Sequence, residues 1–88
     1  MADYTVRLLD QAVDDLARLD GIIARRILKR LDWLQANIET IVPGRLTGQF
    51  AGLNKLRVGD YRVIYQVIQE ELVIVIQAIG HRRDVYKR

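Results

Sequence analysis

The apolar residues change their spacing at Leu53, from a helical repeat to strict alternation, and this switch narrows the folds open to the chain. Upstream, Ile23, Ile27, Leu31 and Leu34 form one stripe, with Ile38 a turn further on. That spacing predicts a helix, with Arg25, Arg26, Lys29 and Arg30 on its other faces. A shorter helix precedes it, with Asp10 as its expected N-cap, Val13, Leu16 and Ala17 at helical spacing, and an end near Gly21. Residues 3–9 (DYTVRLL) are rich in strand formers. Pro43-Gly44 ends the second helix, and a loop is expected to Gly52.

Downstream, residues 53–58, 61–68 and 72–80 read as three strands. Gly59-Asp60 separates the first two, and glycine at the first central position marks a type II′ hairpin turn. The next turn falls within Gln69-Glu70-Glu71. The order is β-α-α-β-β-β with a short basic tail, HRRDVYKR. It implies a single α+β domain over residues 1–88. A helical hairpin would pack on one face of a largely antiparallel four-stranded sheet.

Composition removes several classes of function. There is no cysteine and only one histidine, so disulfides, thiolate metal sites and His-rich zinc sites are not expected, nor is any cofactor. The longest apolar run of the strands is far short of the ~20 residues of a membrane span, and the first ten residues do not read as a signal peptide. A cytoplasmic protein is the expectation. A chain of 88 residues buries only about 60–65% of its unfolded surface, so its stability margin should be thin. The net charge is +3, and all of the excess lies beyond residue 52. There Lys55, Arg57, Arg62, Arg82, Arg83, Lys87 and Arg88 outnumber Asp60, Glu70, Glu71 and Asp84. Such an imbalance favours a polyanionic partner, nucleic acid or an acidic protein.

Strand alternation sorts these charges. With Gly59-Asp60 as the turn, Arg57 faces Arg62 and Lys55 faces Ile64 across the hairpin. One sheet face then holds Leu56, Val58, Tyr61, Val63, Tyr65, Val67, Leu72, Ile74, Ile76 and Ala78, and it should lie under the helices. The other holds Lys55, Arg57, Arg62, Gln66, Gln77 and His81, among Ile64, Ile68, Val73, Val75 and Ile79. Arginines opposite each other on adjacent strands repel. An anion would relieve that repulsion, and phosphate suits arginine's planar donor fork. Trp33, beside the apolar stripe of the second helix, is expected to pack rather than to stack on a nucleic acid.

The stretch KLRVGDYRVIYQV followed by IGHRRDVYKR closely resembles the RelE/ParE superfamily of bacterial and archaeal toxins, the RelE-like mRNA interferases of type II toxin–antitoxin systems in particular. The shared pattern is a basic strand, then Gly-x-Tyr-Arg-x-x-Tyr, then an apolar strand ending in Gly, a basic or His residue, Arg, and a Tyr a few residues on. The element order matches as well. The resemblance implies an endoribonuclease that cleaves mRNA without a metal, commonly on the ribosome, and so inhibits translation. It also implies a cognate acidic, RelB-like antitoxin and a toxin–antitoxin hetero-oligomer. Another branch of the superfamily poisons DNA gyrase, and a non-catalytic antitoxin-binding module is a further alternative.

Carried over by position, Lys55 matches a catalytic lysine, Arg57 a basic position on the same strand, and Arg62 an arginine that grips the scissile phosphate. Arg82 matches the arginine two residues after the terminal glycine, and Tyr86 the tyrosine near the C-terminus. Arg83 and Lys87 join Arg57 as RNA-binding candidates. Well-studied ribosome-dependent members carry a second lysine two positions before Lys55, where this chain has Leu53. That departure lowers catalytic strength or shifts proton transfer onto His81. The implied reaction is attack of an RNA 2′-hydroxyl on the adjacent phosphate. The transition state gathers negative charge, so preorganised cations are the main requirement. Lys55 and His81 are both candidate bases, and Tyr86 is a stacking group or a proton donor.

Overall fold

The computed structural model describes residues 3–40, 44–45 and 53–87. Its elements are β1 (Thr5–Leu8), α1 (Asp10–Ala17), α2 (Gly21–Asn37), β2 (Gly44–Arg45), β3 (Asn54–Val58), β4 (Tyr61–Ile68) and β5 (Val73–His81). Single turns of 3₁₀ helix cover Gln69–Glu71 and Val85–Lys87. The strands form one sheet in the order β1-β5-β4-β3-β2. Pairing is antiparallel throughout except for β1, which runs parallel to β5. The sheet is therefore mixed, and the two-residue β2 adds a fifth strand within the segment expected to be loop.

α2 presents Ile27, Leu31 and Leu34 to the sheet, with Ile38 at its end and Ile23 partly buried, so the stripe read from the spacing is the packed face. Asp20 caps this helix by accepting the Ile22 N–H at 2.9 Å. α1 differs from expectation. Leu9, not Asp10, is its N-cap, and its buried residues are Ala12 and Asp15, while Val13 points outward. α1 therefore meets the core through Ala12, the buried Asp15 carboxylate and the half-buried Leu16.

The β3–β4 hairpin follows the alternation. Val58 pairs with Tyr61, Arg57 with Arg62 and Lys55 with Ile64. Gly59 alone in the turn pair has a positive φ, 59°, as a type II′ turn requires. The connection to β5 is longer than a two-residue turn: a 3₁₀ turn followed by Leu72 in the left-handed region. It nonetheless keeps the expected parity, because Ile68 pairs with Val73, Val67 with Ile74 and Tyr65 with Ile76.

That parity breaks once. Beyond Tyr65–Ile76 the next pair is Ile64–Ala78, so Gln77 is an extra residue in β5. Such a bulge flips every later side chain to the opposite face. Ile79 pairs with Val63 and joins the main core under the helices. Ala78 pairs with Ile64 and lies on the outer face, where the alternation alone had placed Ile79. A small second core forms there from Ile64, Ala78 and Val85, with Leu53 and Tyr86 packed against it. Among the described residues, no helix is long and apolar enough to cross a membrane.

Candidate functional site

The outer face of the β3–β4 hairpin gathers most of the residues that the sequence singles out. Lys55 and Arg57 are exposed on β3, and their side chains have no hydrogen bond or ion pair among the described residues. Tyr86 packs on the same face, half-buried against the Ile64–Ala78–Val85 cluster. Val85, fully buried, anchors the tail there and sets Tyr86 against the strand surface. Arg83 and Lys87 are exposed.

Arg62 departs from the expectation of a repelled, solvated arginine. It is only 8% exposed. Its Nη1 donates to the Gly59 carbonyl at 2.9 Å and to the Tyr61 carbonyl at 2.8 Å. The guanidinium thus curls back onto the hairpin turn, away from Arg57, and two carbonyl dipoles offset the like-charge pairing. Both bonds use Nη1, so that among the described residues Nε and Nη2 make no hydrogen bond.

Arg82 sits at the same turn. Its backbone N–H donates to the Asp60 carbonyl at 2.7 Å, and its Nε lies 3.8 Å from Asp60 Oδ1. The turn brings Asp60 against Arg82. Both side chains are more than half exposed, at 53% and 71%, so the pair is weak and exchangeable.

His81 is the main correction. The bulge at Gln77 places it opposite Tyr61, on the helix side of the sheet, not beside Lys55 and Arg57. Its ring meets Tyr61 edge-on with centroids 5.5 Å apart, and its Nδ1 accepts the Arg83 N–H at 3.2 Å. It lines a cleft of about 340 Å³ with Gln11, Arg18 and Asp84. Trp33 is 41% exposed, with the Arg30 guanidinium 4.1 Å from its ring centroid.

The arrangement left on the outer face is a set of cations around a small apolar platform. Arg62 and Arg82 lie at the turn end, Lys55 and Arg57 along β3, and Tyr86 on the tail. Guanidinium and ammonium groups are donors suited to phosphate, and an aromatic ring is suited to stacking on a nucleobase.

The comparisons with known proteins bear on the family and the fold. Residues 6–86 match the family described as ParE toxin of type II toxin-antitoxin system, parDE. Toxin RelG of Mycobacterium tuberculosis is 31% identical over 86 residues, spanning 97% of this chain and 98% of the relative. The toxin–antitoxin complex RelBE2 of M. tuberculosis contains a similar chain, 30% identical with a TM-score of 0.79, covering 91% of this chain and 99% of that one. A chain of the archaeal RelE–RelB complex from Pyrococcus horikoshii is also 30% identical, with a TM-score of 0.71 over 94% of this chain and 99% of that one. By its fold, its basic hairpin and these relatives, the chain belongs to the RelE/ParE superfamily of type II toxin–antitoxin toxins.

Proposed function

We propose that this toxin is a metal-independent endoribonuclease that cleaves mRNA, on the ribosome, in the cytoplasm, and is neutralised by an acidic RelB-like antitoxin in a hetero-oligomeric complex. The observation that carries the reading is the outer hairpin face, where Lys55, Arg57, Arg62 and Tyr86 share one surface with Arg82 at its turn end.

The reaction is a transesterification within the RNA. The 2′-oxygen forms a bond to phosphorus, and the bond from phosphorus to the 5′-oxygen breaks. The products are a 2′,3′-cyclic phosphate and a 5′-hydroxyl. Arg82 leaves its weak contact with Asp60 and, with the free nitrogens of Arg62, takes the charge that builds on the phosphate oxygens. Lys55, on the same face and without a hydrogen bond or ion pair among the described residues, takes the 2′-hydroxyl proton as its neutral amine. Tyr86 stacks on a neighbouring base or supplies the proton to the leaving 5′-oxygen. His81, on the far side of the sheet, acts on this face only by reaching round the strand end, so Lys55 is the favoured base. Arg57, Arg83 and Lys87 hold the RNA backbone.

Relatives 30% identical were solved with their antitoxins, RelB among them. An acidic antitoxin segment would neutralise the same cations, and charge complementarity would speed its association. The match to the ParE family favours a second reading, a toxin that poisons DNA gyrase.

Lys55→Ala and Arg82→Ala test the proposal, because both side chains are exposed and neither holds the core. In toeprinting of translated mRNA the wild type should produce cleavage, and each variant should slow it by about 10²-fold. Wild-type toxicity of the folded double variant, or DNA synthesis failing before protein synthesis on induction, would overturn the ribonuclease reading.

A further inference from the structure

Four cations converge on a groove outside the site described above. Arg26, Lys29 and Arg30 of α2 face Arg57, Val58 and Gly59 across a space of about 280 Å³. Arg26 reaches furthest: its Nη2 lies 3.4 Å from where a Cβ on Gly59 would stand. Among the described residues, the side chains of Arg26, Lys29 and Arg57 have no hydrogen bond or ion pair, and Arg30 stacks on Trp33. Residues 41–52 contain no Asp or Glu that could neutralise them. Four unneutralised cations around one groove repel one another unless an anion sits between them.

We propose that this groove is a second phosphate subsite, which grips the backbone of an RNA strand outside the cleavage face. The inference rests on the reading of this protein as an RNA-cleaving toxin. Arg57 is the link: it stands opposite Arg62 on the outer face, and it is also one of the residues that line the groove. A strand whose scissile phosphate meets Arg62 and Arg82 passes round the edge of β3 at Arg57 and reaches α2. Among the described residues, β2 pairs with β3 only at Asn54 and Lys55, so no described strand covers this edge at Arg57. The exposed ring of Trp33, one turn beyond Lys29 and Arg30, gives a base somewhere to stack. An acidic protein segment is the less fitting occupant. Stable protein contacts need buried apolar anchors, and among the described residues the one apolar side chain at this groove, Val58, is already buried in the core.

The test compares two charge-matched double variants, both at exposed positions. R26Q,K29Q removes two groove cations, and R7Q,R18Q removes two cations elsewhere. Binding to a 5′-labelled, single-stranded 2′-O-methyl RNA, which cannot be cleaved, is followed by fluorescence anisotropy across a salt series. Thermal melts confirm that both variants are folded. The groove pair should weaken binding by about tenfold or more at low salt. It should also flatten the slope of log K against log salt by about 1.4, two phosphate contacts at ~0.7 each. The control pair should change the slope by much less. Equal effects of the two pairs, or no RNA binding by the wild type, would overturn the proposal. So would a groove pair that binds RNA normally but loses affinity for the antitoxin, which would make the groove a protein interface. If the groove pair loses RNA binding while the wild type cuts no mRNA, the subsite stands and the cleavage reading falls.

Discussion

The Arg62 guanidinium donates to the Gly59 carbonyl, three residues back, and so ties its own strand to the turn that precedes it. A second bond from the same nitrogen reaches the Tyr61 carbonyl. Strand pairing alone suggests that removing Arg62 would relieve repulsion with Arg57. The burial of its side chain reverses the sign. Arg62→Ala should lower stability by about 1–3 kcal/mol, since two carbonyls lose a charged donor in a part-buried place. Chemical denaturation measures this directly, and a gain in stability would show that the repulsion dominates.

Asp15 gives a second, independent test of how the bulge is held. Its Oδ2 accepts the Ile79 N–H at 2.9 Å, and its Oδ1 accepts from Gln11 Nε2 at 2.9 Å. β1 pairs with β5 only up to Ile76, so a helix carboxylate does the work of a neighbouring strand just past the bulge. Asp15→Ala should cost about 1–3 kcal/mol, and Asp15→Asn clearly less, because it keeps an acceptor oxygen. Amide exchange at Ile79 should quicken in the alanine variant; unchanged protection would show that Asp15 does not hold this edge.

Val85 links stability to activity. It is fully buried on the outer face and carries Tyr86 beside it. Val85→Ala removes two methyl groups' worth of packing and should cost about 1–3 kcal/mol. Under the proposed chemistry, cleavage should fall even at temperatures where the variant is fully folded, because Tyr86 loses its seat. Full activity in the folded variant would show that Tyr86 is placed by something else.

Tyr65 predicts alkaline behaviour. Burial raises its pKa above the ordinary tyrosine value of about 10, because the phenolate would lose its hydration. A pKa raised by folding means stability that is intact below the unfolded value and lost as pH climbs through the folded one. Unfolding curves should therefore show declining stability from about pH 10 upward. Tyr65→Phe should remove that component while keeping the ring's packing. An identical alkaline decline in Tyr65→Phe would assign it to other groups.

Local pattern determined the parts of this protein whose partners are near in sequence. The α2 stripe, the Gly59-Asp60 hairpin and the pairing of Arg57 with Arg62 follow from spacing and turn chemistry. Lys55 and Arg57 reach one face on the same grounds, whereas Tyr86 reaches it only through the packing of Val85. Tertiary packing decided the rest. The bulge at Gln77 carries no side-chain signal: it arises because Ile79 fits the core under the helices while Ala78 fits under Val85. One extra residue then moves His81 to the opposite face, a change invisible to alternation counted from a turn ten residues away. Burial of Arg62 and the pairing of Arg82 with Asp60 depend on carbonyls and carboxylates that the turn and tail bring together in space. The same holds for the basic groove: the cations of α2 are plain in the chain, but only the packing of α2 against β3 sets them opposite Arg57. Side-chain spacing records short-range periodicity, whereas these features rest on contacts between segments that meet only when the sheet and helices close on each other.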